Sequence, residues 1–572
     1  MKRNLSELTG KEYDLVIIGG GIFGACAAWD AVLRGFSVAL VERGDFSSGT
    51  SANSFKIVHG GIRYIQHGDI MRIRESCRER SALLRVAPHL VQPLPTVIPT
   101  YGHGKNGKFL LAAGLLGYDL LTSDRNLHIK DPDRRIPRGR LLSRGEVVEL
   151  FPGLERNGLT GAAMFSDGQM YNPTRLVLSF LLSSAAAGAE IANYVEAINF
   201  IRSKGRVTGI EAQDKLTGEQ FQIRGKVVLN ATGPWAEHLL NKQLGFKLER
   251  KGTYSRDACF VIPRQLDSRH ALAVLGRTRD PDALLSRNAR HLFIVPWRDY
   301  SLIGVWHVVY DGNPDGFAVT EQELKAFVEE INAAYPALDL SVEEISMWNA
   351  GLLPFGENQD NATNLSYGKR SLIVDHARQH QVEGLVTLLG VRYTMARGEA
   401  AKAIDLVARK LNRRVPRPAT AKIPIYGGRI EHFEAFVQQV TQRSEAPLPI
   451  KALRALLHNH GSEYDRILRY GEENSAWVET IADSTVIKAE VLQAVREEMA
   501  LKLSDIIFRR TDLATGEYPG NEALQTCAQL MAAELGWTAK HQHQEIEEVK
   551  RIFPIFGQVV REDSSAQVGV AI

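Results

Sequence analysis

The stretch from Tyr13 to Glu42 constrains this chain more than any other. An apolar run, Tyr13-Asp14-Leu15-Val16-Ile17-Ile18, leads into Gly19-Gly20-Gly21-Ile22-Phe23-Gly24, then a small-residue segment, then Val38-Ala39-Leu40-Val41, closed by Glu42. This order predicts a strand, a helix and a parallel strand. Gly19, Gly21 and Gly24 fit G-x-G-x-x-G: the first allows the tight turn, the second lets a pyrophosphate approach the backbone, and the third lets helix and strand pack closely. The free N–H groups of a helix opening at Ile22-Phe23 would face the phosphates, and Glu42 is placed to accept hydrogen bonds from an adenosine ribose.

The 572 residues allow two or more domains, and a hydrophobic content of 44% with 24% charged residues is that of a soluble globular protein. A net charge of +3 gives no reason to expect a nucleic-acid partner. Cys26, Cys77, Cys259 and Cys527 form no C-x-x-C pair, which argues against a disulfide framework or zinc site and fits a reducing cytoplasm. The N-terminus carries no apolar signal segment, and no run is long enough to span a bilayer. The apolar stretch Phe109 to Gly117, preceded by Lys105 and Lys108, reads either as a buried helix or as one lying in a membrane interface.

Downstream, Gly44 to Ser54 is a hydroxyl-rich loop leading into Lys56-Ile57-Val58-His59-Gly60-Gly61-Ile62-Arg63-Tyr64. Ile70 to Val86 reads as a solvated, charge-rich helix, Pro88 to Pro99 as extended chain, Asp167 to Pro173 as a turn, and Thr174 to Ala187 as a helix. Lys226-Val227-Val228-Leu229-Asn230 is a buried strand ending in Ala231-Thr232-Gly233-Pro234-Trp235, and Leu385 to Leu389 another, ending in Gly390 before a helix from Thr394 to Leu411. Runs between 250 and 350 suggest a second, mixed sheet. The expected fold is α/β: a Rossmann-like binding domain within residues 1–427, with an inserted mixed-sheet substrate domain over roughly 90–160 and 245–355, and an all-helical domain over 428–572 beyond the break at Arg413 to Pro418. Lys488 to Phe508 reads as one helix with Val491, Val495, Met499 and Ile506 on a single face. The pairs His458/His460 and His541/His543, in polar helical surroundings without acidic partners, give no reason to expect a metal. His376 and His380 fall in an apparent loop.

Together these landmarks resemble the flavin-dependent glycerol-3-phosphate dehydrogenases and oxidases, a branch of the D-amino-acid-oxidase-like flavoproteins. The most specific pieces are Gly19 to Gly24, Lys56 to Tyr64 and Asn230 to Trp235. The resemblance implies FAD, contacted by Gly19, Gly21, Ile22, Phe23, Gly24, Glu42, Arg43, Thr50, Ser51, Ser54, Lys56, Val58, His59, Ala231, Thr232, Gly233, Trp235, Gly390, Arg392, Tyr393 and Thr394. The single dinucleotide fingerprint agrees, because a flavoprotein reduced by NAD(P)H would usually need a second. Hydride transfer from a C–H to flavin N5 needs a group to take the hydroxyl proton and cations to fix a charged substrate. His59, Arg63, His307 and Arg392 are the catalytic candidates.

On the substrate side the chain departs from its relatives. Their Ser-Gly-Val-Arg-Pro reads Ala350-Gly351-Leu352-Leu353-Pro354, so an arginine appears as Leu353. Their Gly-Gly-Lys-Leu-Thr-Thr-Tyr-Arg reads Gly390 to Arg397 with Arg392 in place of lysine, their Gly-Thr-Thr-Asp reads Gly304-Val305-Trp306-His307, and their Lys-Gly-Ser-His reads Lys251-Gly252-Thr253-Tyr254. Losing one bidentate arginine removes about 1.5–3 kcal/mol of charge-assisted binding. The substrate wall is therefore expected from Arg63, Tyr64, Tyr254, His307 and Arg392, made more apolar by Trp306 and Leu353. The expected activity is oxidation of a secondary alcohol, glycerol 3-phosphate or a related hydroxy compound, to a ketone. Two other readings stand beside it: oxidation of a C–N bond in an amine or amino acid, and a non-catalytic flavin-binding subunit. The acceptor is quinone, which needs peripheral contact with the inner face of the membrane, or oxygen, which does not; a homodimer is the candidate assembly.

Overall fold

Six strands run through the first sheet in the order Leu372–Asp375, Leu385–Leu389, Gln220–Asn230, Glu12–Ile18, Val38–Val41, Glu190–Ala192. The last five are mutually parallel, and Leu372–Asp375 closes one edge antiparallel. The apolar runs explain the arrangement. Leu15, Val16, Ile17, Val38 to Val41 and Val227 to Leu229 are wholly buried, as strands covered on both faces must be. One cover comprises the helices Ile22–Leu33, Pro173–Ala186 and Ala396–Lys410, whose Ala25, Ala28, Leu178, Leu181, Ile404 and Val407 share a core with Leu15, Ile17 and Leu40. The first half of Gln220–Asn230 also pairs antiparallel with Arg206–Asp214, which pairs with Val195–Ser203.

A second, nine-stranded sheet is largely antiparallel. Its order is Met347–Pro354, Tyr254–Ile262, Tyr300–Tyr310, His291–Trp297, Ala271–Leu275, Val91–Tyr101, Leu159–Met170, Ile57–Val58, with Arg140–Leu142 also paired to Leu159–Met170. The helix Glu321–Ala334, capped at both groups of Thr320 and Glu323, lays Phe327 on Phe260 of this sheet, ring centroids 4.2 Å apart. The C-terminal region is helical, and Ile506, Ile507, Leu524 and Met531 pack against Val261, Val295, Trp297 and Leu302 of the same sheet.

This computed structural model describes the chain apart from residues 103–107, 246–247, 249–253, 267–268, 277–290, 355–370, 444–447 and 554–572, and apart from the side chains at 63, 66, 67 and 108–110. The expectations for the Arg63 side chain, for residues 251–253 and for the lysines at 105 and 108 lie outside the described residues.

Several local expectations are overturned. The helix Ile70–Val86 is not merely solvated: Glu79 and Arg80 are buried along with Ile73, Cys77 and Leu83, because each charge finds a partner, Arg397 for Glu79 and Asp167 for Arg80. Asp167 to Met170 belong to a strand and form no turn, since their backbone pairs with Val91–Tyr101 and Ile57–Val58. The helix from Lys488 stops at Glu497, and Met499 takes a left-handed φ of 57°. A separate turn begins at Leu503, where Asp505 Oδ2 accepts from the amides of Leu501 and Lys502 at 2.8 and 2.9 Å. His376 and His380 sit on one short helix with stacked rings. His458 and His460 are buried, His458 stacked on Tyr171 and His460 facing Glu490 at 3.3 Å, and His541 lies 3.8 Å from Glu545. Burial pushes both His458 and His460 down to about 3. No group of three metal-ligating side chains is arranged to hold a metal among the described residues, and the four cysteines are free and buried.

Candidate active site

The C-terminal ends of four parallel strands meet at one edge: Gly19 after Ile18, Glu42 after Val41, Ala231 after Asn230, and Gly390 after Leu389. All four line a single cavity of about 1760 Å³. That exceeds the roughly 300–1,000 Å³ of an ordinary small-molecule pocket, and its position is where open α/β sheets bind nucleotides. Gly19 has φ of 110°, and a Cβ there would lie 2.6 Å from the Ala231 carbonyl oxygen. At Gly24 a Cβ would lie 1.9 Å from the Gly19 carbonyl oxygen, so helix and strand touch through glycine alone. Glu42 accepts from the amides of Gly20 at 2.6 Å and Gly44 at 3.0 Å. Burial raises its carboxyl, and these amides oppose the rise. Ser51 Oγ accepts from the Ile22 amide at 3.0 Å, tying the hydroxyl-rich loop to the helix start.

Of the residues expected around a dinucleotide, Gly19, Gly21, Ile22, Phe23, Glu42, Arg43, Thr50, Ser51, Ser54, His59, Ala231, Thr232, Gly233, Trp235, Gly390, Arg392, Tyr393 and Thr394 line this cavity. Gly24 and Val58 do not line it but pack behind it, and neither does Lys56. Lys56 is enclosed, with φ of 59°, and its Nζ donates to the Ala52 carbonyl and Asn349 Oδ1, both at 2.9 Å. Burial lowers its ammonium to about 8. Arg43 stacks on Trp235 at 4.6 Å, and both donate to Asp315 Oδ1, at 2.5 and 2.7 Å.

The far wall of the cavity comes from the second sheet and from the segment after Val58. Arg392 Nη1 donates to Tyr64 Oη and Ser76 Oγ, both at 3.1 Å. His307 Nδ1 meets Asp257 Oδ1 at 2.7 Å across adjacent strands, and Ser255 Oγ donates to the same oxygen. His59 extends its ring into the cavity, with Nδ1 3.4 Å from Asp167 Oδ2. Trp306 and Leu353 supply apolar surface, Trp306 edge-on to Phe327. Tyr254 is not brought in: it is buried, and its hydroxyl donates to the Pro234 carbonyl at 3.0 Å. Asp167, Asp257 and Ser76 were missed by sequence reasoning. Asp167-Gly168 imitates a turn, and Ser76 sits within a charge-rich helical pattern.

A two-sheet architecture with a glycine cradle at a strand edge and a polar wall opposite defines a dinucleotide-dependent oxidoreductase. Comparison with known proteins agrees. A family model described as FAD dependent oxidoreductase matches residues 14–396, and one described as C-terminal domain of alpha-glycerophosphate oxidase matches residues 418–542. The chain is 32% identical over 558 residues to a glycerol-3-phosphate dehydrogenase of Synechocystis, covering 95% of this chain and 97% of that protein. It is 31% identical over 546 residues to one of Mycobacterium leprae, covering 94% and 87%. A solved glycerol-3-phosphate dehydrogenase from Bacillus halodurans complexed with FAD shares the fold at a TM-score of 0.75 and 24% identity over 98% of both chains. The chain belongs to the FAD-dependent oxidoreductase family, in its glycerol-3-phosphate dehydrogenase branch.

The residues present fit FAD. Gly19 leaves no room for a side chain against the Ala231 carbonyl, Glu42 lines the same cavity, and the hydroxyl of Ser47, another lining residue, is buried without a protein partner.

Proposed function

We propose that this protein oxidises the secondary alcohol of a small anionic hydroxy compound, glycerol 3-phosphate or a close relative, to the ketone. The bound flavin supplies the hydride acceptor. The observation that carries the reading is convergence: Arg392 with Tyr64, His59 and His307 enter the same cavity as the dinucleotide cradle. In this reading Arg392 holds the substrate anion through a charge-assisted bond, an imidazole takes the hydroxyl proton, and Trp306 and Leu353 exclude water from the reacting carbon. Anaerobic addition of phosphorylated polyols, hydroxy acids and amines tests it. Bleaching of the flavin with formation of a ketone is expected; ammonia as the product would overturn it in favour of C–N oxidation.

The acceptor we propose is a quinone reached from a lipid surface. Among the described residues no helix is long and apolar enough to cross a membrane. The helix Lys108–Leu121 exposes Leu116 and Leu120, and Ile70 and Met71 are exposed at the start of the helix it packs on. Sedimentation with anionic vesicles, and faster turnover with a quinone than with oxygen, support this reading; its failure would be binding to neither anionic nor zwitterionic vesicles.

A further inference from the structure

Behind His59 lies a buried charged pair that the reaction as described does not use. Arg80 is wholly buried, and its Nη1 donates to Asp167 Oδ1 at 2.8 Å and to the Ser166 carbonyl at 2.9 Å. The Gly60 amide donates to the same Asp167 oxygen at 2.6 Å. Two donors on Oδ1 leave Oδ2 to face His59 Nδ1. The backbone on either side is held as well: His59 N donates to Thr394 Oγ1 at 3.0 Å, and Cys77 Sγ and Tyr118 Oη reach the Gly60 carbonyl at 3.0 and 3.1 Å. A Cβ at Gly60 would lie 2.1 Å from Arg80 Nη1 and 2.4 Å from Tyr118 Oη, so the segment carrying His59 rests directly on this pair.

We infer that Asp167, oriented by Arg80, is a positioning residue that fixes His59 as the tautomer protonated at Nδ1, with the Nε2 lone pair turned toward the substrate hydroxyl. An ionised carboxylate whose Oδ2, the oxygen taken by neither Gly60 nor Arg80, faces Nδ1 can accept a hydrogen bond there and cannot donate one, so the neutral imidazole must carry its hydrogen on Nδ1. The proton lost from the alcohol passes to Nε2. The O–H bonding pair closes the C=O bond, and the C–H pair leaves with the hydride to the flavin that the fold binds. The imidazolium so formed faces a carboxylate already ionised: burial alone would raise Asp167, but its hydrogen bond to His59 and the Arg80 charge hold it below the usual range.

The inference rests on the alcohol-oxidase reading of the cavity, and its test separates the two. In D167N the Gly60 and Arg80 donors retain the carbonyl oxygen, which turns the amide NH2 toward His59 Nδ1 and forces the proton to Nε2. The probe is 15N NMR of histidine-labelled holoenzyme without substrate, with His59→Gln identifying the signal. Wild type is expected to show a proton on Nδ1, D167N a proton on Nε2, and D167E the wild-type tautomer. The rate of flavin reduction by substrate should fall roughly 10²–10⁴-fold in D167N with little change in substrate Kd, and recover in part in D167E. A wild-type signal protonated at Nε2 overturns the inference whether or not the variants fold, as does an unchanged reduction rate in D167N. The correct tautomer with no alcohol able to bleach the flavin would instead defeat the reading of the site.

Discussion

Arg392 and Tyr64 stand 328 positions apart in the chain and meet in the cavity wall, guanidinium Nη1 to hydroxyl at 3.1 Å, with the Arg392 charge 5.3 Å from the centre of the Tyr64 ring. Ser76 takes the same nitrogen. None of these partners is a carboxylate, so the guanidinium keeps its charge for an anion. Arg392→Ala should therefore weaken substrate binding about 10–100-fold, the worth of one charge-assisted bond of roughly 1.5–3 kcal/mol. Tyr64→Phe, which loses one neutral bond of about 0.5–1.5 kcal/mol, should cost no more than about tenfold. Stopped-flow titration of flavin bleaching yields both constants, and equal affinity in Arg392→Ala would remove this residue from the substrate site.

Glu42 has a different task at the opposite end of the cavity. Its carboxylate already orders Gly20 and Gly44 and still borders the cavity. Glu42→Ala should weaken FAD binding by about 10–100-fold through loss of a charged acceptor, without altering substrate Kd in enzyme reloaded with flavin. Equilibrium dialysis of FAD against the two proteins measures it.

Lys56 predicts a pH dependence of stability. Its folded value is lowered by burial to about 8, below the ordinary 10.5. Between those values the unfolded chain binds the extra proton, so stability rises with pH from about 8 to about 10.5 and is lowest, as far as this group is concerned, below 8. The full span corresponds to no more than about 3.5 kcal/mol. Lys56→Met should remove the rise whatever it does to stability at neutral pH, where Asn349 and the Ala52 carbonyl lose a donor. Chemical denaturation of the holoenzyme at intervals across this range gives the slope.

How much of this was legible in the sequence depends on whether a residue's task is local. The unit from Glu12 to Val41 and the strand ends at Asn230 and Leu389 could be read because buried parallel strands leave continuous apolar runs and the phosphate turn demands glycine at fixed spacing. Arg80 and Asp167 could not. A buried charge and a surface charge look alike until a partner 87 positions away is known. The helix pattern of Ile70–Val86, with its arginines and glutamates, gave the ordinary solvent-facing reading. Tyr254 failed for a related reason: its match to a family motif position carried no information that its hydroxyl turns to Pro234. The break after Glu497 was hidden because Met499 and Ile506 continue the apolar spacing, while the helix ends where Met499 turns left-handed and the Ala500 amide closes on the Ala494 carbonyl at 3.0 Å; beyond the break Arg509 and Arg510 are drawn to Asp45.

That last contact joins the helical region to the cofactor loop. Asp45 lies three residues after Glu42 and is fully buried: its Oδ2 accepts from Arg509 Nε and Arg510 Nη1, and its Oδ1 from Arg510 Nη2, each at 2.7 Å, with Asn193 Nδ2 at 2.9 Å. Burial alone would raise the Asp45 carboxyl, but Arg510 and Arg509 together hold it below the ordinary carboxylate range. Its contribution is therefore present above the unfolded value of about 3.9 and is lost as pH falls through the lower folded value. Asp45→Asn keeps the shape but leaves two buried guanidiniums, Arg509 with Asp505 at 2.7 Å and Arg510 with only Glu498 at 4.0 Å. Breaking such a pair costs about 3–5 kcal/mol. The variant should melt earlier, release FAD more readily and be cleaved faster in the connecting segment from Arg413 to Gly428. Arg510→Met removes one positive charge but leaves Asp45 Oδ2 accepting from Arg509 and Oδ1 from Asn193, and should be milder. Wild-type proteolysis rates and FAD retention in Asp45→Asn would show that the helical region is held by its apolar packing alone.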